Sequence, residues 1–123
     1  MDKKHLLTGS VLAVTAVGLG AFGAHALSAT LEAFGRKDTY DTAVQYHMFH
    51  AIAILFVSLI NKNGPHQLLT WAIRLFLFGT LIFSGSLYVL CMTNLSILGA
   101  ITPIGGLLFI GGWITLIIYA LRH

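Results

Sequence analysis

Only one cysteine, Cys91, occurs among the 123 residues, which excludes an internal disulfide and any paired-cysteine redox or zinc motif. It sits in an apolar run, without the electropositive, partly exposed setting that activates a thiol, so it is expected to be a buried small hydrophobe. Charge is also scarce: Asp, Glu, Lys and Arg make up 9% of the chain, against about 25% in soluble domains. Only four residues are acidic. None of them lies deep in an apolar segment, which argues against a proton-coupled carrier of the carboxylate kind. The basic residues form no patch interleaved with aromatics, so the pI near 9.3 does not point to a nucleic-acid partner.

What remains is apolar. Hydrophobic residues are 57% of the chain and the mean hydropathy is +0.86, the composition of an integral membrane protein. The chain reads as one membrane domain over residues 1–123. Its apolar segments cover residues 6–27, 42–60, 71–92 and 103–121, each close to the ~20 residues that cross ~30 Å of hydrocarbon. The fold class expected is therefore all-α, an integral membrane bundle of four transmembrane helices.

The first segment follows Lys3 and Lys4, and Ala24-His25-Ala26 fits a small-residue cleavage site, so a signal peptide is the rival reading. Its apolar run is longer than the usual ~7–15 residues of such peptides, and retention as a transmembrane helix is expected. Gly18 to Gly23 matches the dinucleotide-binding G-x-G-x-x-G pattern, which has meaning only between a strand and a helix. At about 100° per residue, Gly9, Ala13, Ala16, Gly20 and Gly23 instead share one narrow face. Small residues so arranged let helix backbones approach closely in lipid.

Between segments one and two, Leu27, Leu31 and Phe34 are spaced for a short interfacial helix ended by Gly35, with a solvated loop as the alternative. Asn61-Lys62-Asn63-Gly64-Pro65 is a turn signal that makes segments two and three a hairpin. Arg74 beside Trp71 is placed to snorkel to the interface. Thr102 and Pro103 read as the N-cap and first residue of the last helix. With the N-terminus inside, Lys3, Lys4, Lys62, Arg74 and Arg122 fall on the inner side, and Arg36 and Lys37 on the outer side. That asymmetry predicts a cell-membrane protein with both termini cytoplasmic.

Six histidines occur, and two of them open segment two. His47 and His50 are one helical turn apart, and His25 lies at the same outer level, so the three could ligate a metal ion or haem iron. The competing reading is structural. Tyr46, His47, His50, Ser58 and Asn61 make one polar seam on segment two, the kind that hydrogen-bonds to neighbouring helices. A third reading is proton or ion handling. Thr80, Ser84, Tyr88 and Cys91 form a seam on segment three, and Gly105, Gly112, Thr115 and Tyr119 one on segment four. Ser84 and Ser86 lack a nucleophile-elbow context and an acid at their depth, so nucleophilic catalysis has no parts.

The elements Gly20-Ala21-Phe22-Gly23-Ala24-His25, Tyr46 to His50, Phe83-Ser84-Gly85-Ser86-Leu87-Tyr88, Thr102 to Gly106 and Gly112-Trp113 follow one another across almost the whole chain. Together they resemble domain of unknown function 423, also described as uncharacterised protein family 0382 and related to transmembrane protein 256 of animals. The resemblance implies a compact multi-pass membrane protein and supplies no reaction. Its pattern resembles Tyr-Gln-x-x-His, and here His47 stands where the pattern has Gln, so His25 and His50 are the matching positions.

The expectation is thus a non-enzymatic structural, interaction or lipid-organising membrane protein without a cofactor. Its partner is the lipid bilayer, with homo-oligomers also fitting the small-residue faces, and no nucleic acid. The hypothesised polar cluster is His25, Tyr46, His50, Tyr88 and Thr102. The alternatives are a metal- or haem-binding protein using His25, His47 and His50, and a small-solute channel or carrier.

Overall fold

The computed structural model describes residues 3–122, apart from the side chain of Asn63; Met1, Asp2 and His123 lie outside the described residues. The chain forms α1 (Lys3–His25), α2 (Ser28–Phe34), α3 (Lys37–Ile60), α4 (Gln67–Thr93) and α5 (Thr102–Arg122), with short 3₁₀ turns at Asn61–Asn63 and Ser96–Ala100. No strand occurs among the described residues. Four helices are long and apolar enough to cross a membrane, the last one counted together with its leading turn.

The helix ends follow from local chemistry. The connection after α1 is helical rather than a solvated loop. It stops at Gly35 in the left-handed conformation (φ 64°), whose N–H donates to the Glu32 carbonyl at 3.1 Å. Leu31 is buried, Leu27 packs beside it, and Phe34 is exposed. At the other turn, His66 Nδ1 accepts from the Leu68 N–H at 3.0 Å, so α4 starts at Gln67 rather than near Trp71. Asn94 (φ 56°) closes α4 through a 2.7 Å bond from its N–H to the Leu90 carbonyl. Similarly, α3 starts at Lys37 rather than Thr42, because Tyr40 is buried under α1 and α2 instead of lying in the connection. Thr102 is the first helical residue of α5 and not its N-cap; its hydroxyl turns back to the Leu98 carbonyl at 3.4 Å and to Ser86.

The two central helices are α3 and α4. α1 packs along α3, and α5 packs along α4. In lipid no hydrophobic drive holds helices together, so close backbone approach must do it. Gly9, Ala16 and Gly23 are buried against α3, with Ala13 and Gly20 partly covered. A Cβ on Gly9 would come within 2.6 Å of Leu55 Cδ2, and one on Gly23 within 2.7 Å of Tyr40 Cζ. The α4 and α5 contact is built alike: a Cβ on Gly105 would meet Phe83 Cβ at 2.7 Å, and one on Gly112 would meet Phe76 Cε1 at 2.5 Å. Around these contacts Ile54, Val57, Leu69, Ile73, Phe76 and Phe109 form the apolar core. Cys91 is fully buried beside Leu31 and Tyr40, with its thiol 3.7 Å from the Arg36 carbonyl.

Candidate functional site

The seam on α3 divides into two networks. In the first, His47 is buried, with Nδ1 2.8 Å from the Tyr88 hydroxyl on α4 and Nε2 3.1 Å from Thr15 Oγ1 on α1. Thr15 also lies 3.0 Å from the Val11 carbonyl and 2.9 Å from that of Leu12. A carbonyl only accepts, so the single Thr15 proton goes there, and the hydroxyl must receive the His47 Nε2–H. Nδ1 then carries the lone pair that accepts from Tyr88. One direction of donation runs from Tyr88 through His47 to Thr15 and ties three helices. Tyr40, whose hydroxyl donates to the Leu19 carbonyl, packs its ring 5.5 Å from that of Tyr88.

The second network centres on His50, also buried. Its Nδ1 lies 2.9 Å from the Tyr46 carbonyl, and its Nε2 accepts from the Trp113 indole N–H at 3.1 Å. An acceptor-only carbonyl on one nitrogen and a donor-only indole on the other assign the neutral tautomer with its proton on Nδ1. The Phe109 ring stacks on the imidazole at 3.7 Å between centroids and 7° between planes. Both nitrogens of each histidine are therefore engaged within the protein.

The five residues expected in one polar cluster do not form one. His25 is exposed at the end of α1, where its carbonyl accepts from Ser28 Oγ at 3.1 Å, and it enters neither histidine network. Tyr88 meets His47 rather than His50. Thr102 pairs with Ser86 across 2.7 Å. Tyr46 is exposed, with its ring 4.7 Å from that of Phe83. The cause is angular: positions three apart on a helix are about 60° apart around its axis, enough to send His47 toward α1 and α4 and His50 toward α5. Among the described residues, no group of three His, Cys, Asp or Glu side chains is arranged to hold a metal ion. Ser84, taken from the sequence as part of a packing seam, donates to the Ala43 carbonyl at 2.8 Å and ties α4 to α3.

Beside His50, a groove of about 570 Å³ opens between α3 and α5. Phe49, Phe83, Phe109, Ile110 and Trp113 line it, together with Gln45, Tyr46 and Gly106. Gln45 is about 12 Å along α3 from Lys37, and His50 about 20 Å, at 1.5 Å per residue. The groove thus starts about a third of the way along α3 and reaches its middle, with Gln45 and Tyr46 on the side nearer Lys37. Sequence reasoning did not anticipate Trp113 or Thr15 as partners. The available signal was that an indole N–H inside an apolar span has no water to bond and needs an acceptor on another helix.

The fold and these networks define the chain as a multi-pass membrane protein built from four spanning helices, with His47 and His50 tying helices together. Residues 19–106 match the family model described as Protein of unknown function (DUF423), and the chain belongs to that family. It is 43% identical to the UPF0382 membrane protein YwdK of Bacillus subtilis, over 98% of both chains. It is 42% identical to a UPF0382 membrane protein of Haemophilus influenzae, over 94% of this chain and 92% of the relative. It is 37% identical to the UPF0382 inner membrane protein YgdD of Escherichia coli, over 86% of this chain and 80% of the relative. No solved structure matches the chain.

Proposed function

We propose that this protein is a non-enzymatic, lipid-organising component of the cell membrane, with both termini cytoplasmic, that holds a membrane lipid chain in the groove between α3 and α5. One observation carries the reading: the imidazoles of His47 and His50 are spent on joining helices, while the aromatic groove beside His50 carries exposed Phe49 and Ile110. In a spanning protein, the medium at that depth is lipid hydrocarbon. A groove of about 570 Å³ falls in the usual ligand range of roughly 300–1,000 Å³. Gln45 and Tyr46 are exposed where they line it, on the side nearer the charged start of α3, and both can donate to an ester carbonyl.

The orientation is supported by Lys3, Lys4, Lys62, Arg74 and Arg122, all at the end of the bundle that carries the termini. The Escherichia coli relative is itself named an inner membrane protein. Metal or haem binding by His47 or His50 would first have to break the bonds to Thr15, Tyr88 or Trp113, so the protein is proposed to work without a cofactor. Native mass spectrometry, metal analysis and an absorption spectrum of the purified protein test this together. The reading expects phospholipid adducts, with neither stoichiometric metal nor a Soret band. Bound haem or metal without lipid would overturn it.

A further inference from the structure

At the opposite end of the bundle from the start of α3, a second pocket of about 420 Å³ lies where α1 starts, α3 ends and α4 begins. Lys4, Lys62 and Arg74 line it from three elements, and among the described residues no carboxylate does. The described acids, Glu32, Asp38 and Asp41, all belong to the other end. The wall between the cations is a braced turn. Asn61 Oδ1 accepts from the His66 N–H at 2.7 Å, and its Nδ2 reaches Thr70 Oγ1 at 3.3 Å. Arg74 holds its guanidinium 5.2 Å over the exposed ring of Trp71. An indole in that position belongs at the headgroup level of a bilayer.

We propose that this pocket binds the headgroup phosphate of an anionic glycerophospholipid. Lys62 and Arg74 on a preorganised polar wall, at the level of the interface, fit one phosphate diester. Basic pockets between spanning helices are recognised sites of this kind. Selectivity follows from charge. A zwitterionic headgroup would bring a quaternary ammonium against Lys62 and Arg74, whereas a glycerol headgroup brings only hydroxyls that Asn61 and Thr70 can meet. The site is separate from the groove between α3 and α5 and does not depend on lipid binding there.

The test is native mass spectrometry of the full chain in detergent, titrated with phosphatidylglycerol or phosphatidylcholine. Tighter binding of phosphatidylglycerol is expected, weakened about fivefold by Lys62→Gln or Arg74→Gln. Lys3→Gln and Arg122→Gln, at the same end but outside the pocket, should change nothing. Equal affinity for the two lipids would overturn the proposal. So would equal losses from all four substitutions, which would mean diffuse surface charge, or competition by soluble glycerol phosphate at the lipid's own concentration, which would mean a free-phosphate site. Thermal unfolding of each variant checks that the exposed side chains were removed without loss of the fold.

Discussion

Trp113 Nε1 donates to His50 Nε2 across 3.1 Å, and this bond joins α5 to α3 over the top of Phe76 and Phe109. The backbones of α3 and α5 do not pack along one another as those of neighbouring helices do. The separation leaves the groove, which His50 and Trp113 both line.

The strength of that bond is measurable. Trp113→Phe leaves a buried acceptor without its donor, and His50→Phe leaves the indole without its acceptor. A double-mutant cycle between them, read by reversible unfolding in mixed micelles, should return a coupling of about 0.6 kcal/mol and not above ~1.7. A coupling of zero would mean that Trp113 and His50 do not act on each other.

Glycine substitutions should separate sharply by position. A Cβ on Gly79 would lie 2.6 Å from Phe109 Cδ1 and 3.2 Å from the Gly105 carbonyl oxygen. Phe109 cannot retreat freely, because it stacks on His50. Gly79→Ala is expected to cost about 1–3 kcal/mol through overpacking. Gly85 on the same helix has nothing within 4 Å of its Cβ position, so Gly85→Ala should leave thermal stability unchanged or slightly higher. Equal effects at the two positions would contradict the packing described for α4 and α5.

Orientation is open to a direct check. A reporter that works only in the cytoplasm, fused at the C-terminus, should be active. One fused into the Ser96–Ala100 turn should be silent there and active in an outward-facing format. The reverse pattern would contradict the orientation drawn from the basic residues.

The sequence makes some of this architecture legible and hides the rest. The apolar segments and the polar connections locate the spanning helices, because backbone groups in lipid leave few alternatives to a helix. The Gly9 to Gly23 stripe is readable because close approach needs small side chains, and it does face α3. The helix starts are less readable: Tyr40 looks interfacial until α1 and α2 cover it. The polar cluster is the least readable part. A helical wheel puts His47 and His50 on one face, but it does not say which helix stands beside that face. The neighbours decide that Tyr88 meets His47 and Trp113 meets His50. His25, placed in the cluster by its motif and by its level at the outer end of the first span, is left exposed.

The claim that the groove holds lipid is tested most directly by filling it. Gly106 lines the groove, and a Cβ there would meet only Phe83 Cδ2, at 3.9 Å, so a side chain can start there without a clash and Gly106→Leu takes up groove space. Gly18, with nothing within 4 Å of its Cβ position on α1, provides Gly18→Leu as the matched control. With Arg74→Gln present in every chain to weaken the basic pocket, native mass spectrometry should show phospholipid adducts on the parent and on Gly18→Leu, and severalfold lower occupancy on Gly106→Leu at unchanged thermal stability. Equal lipid occupancy on all three proteins would contradict the account.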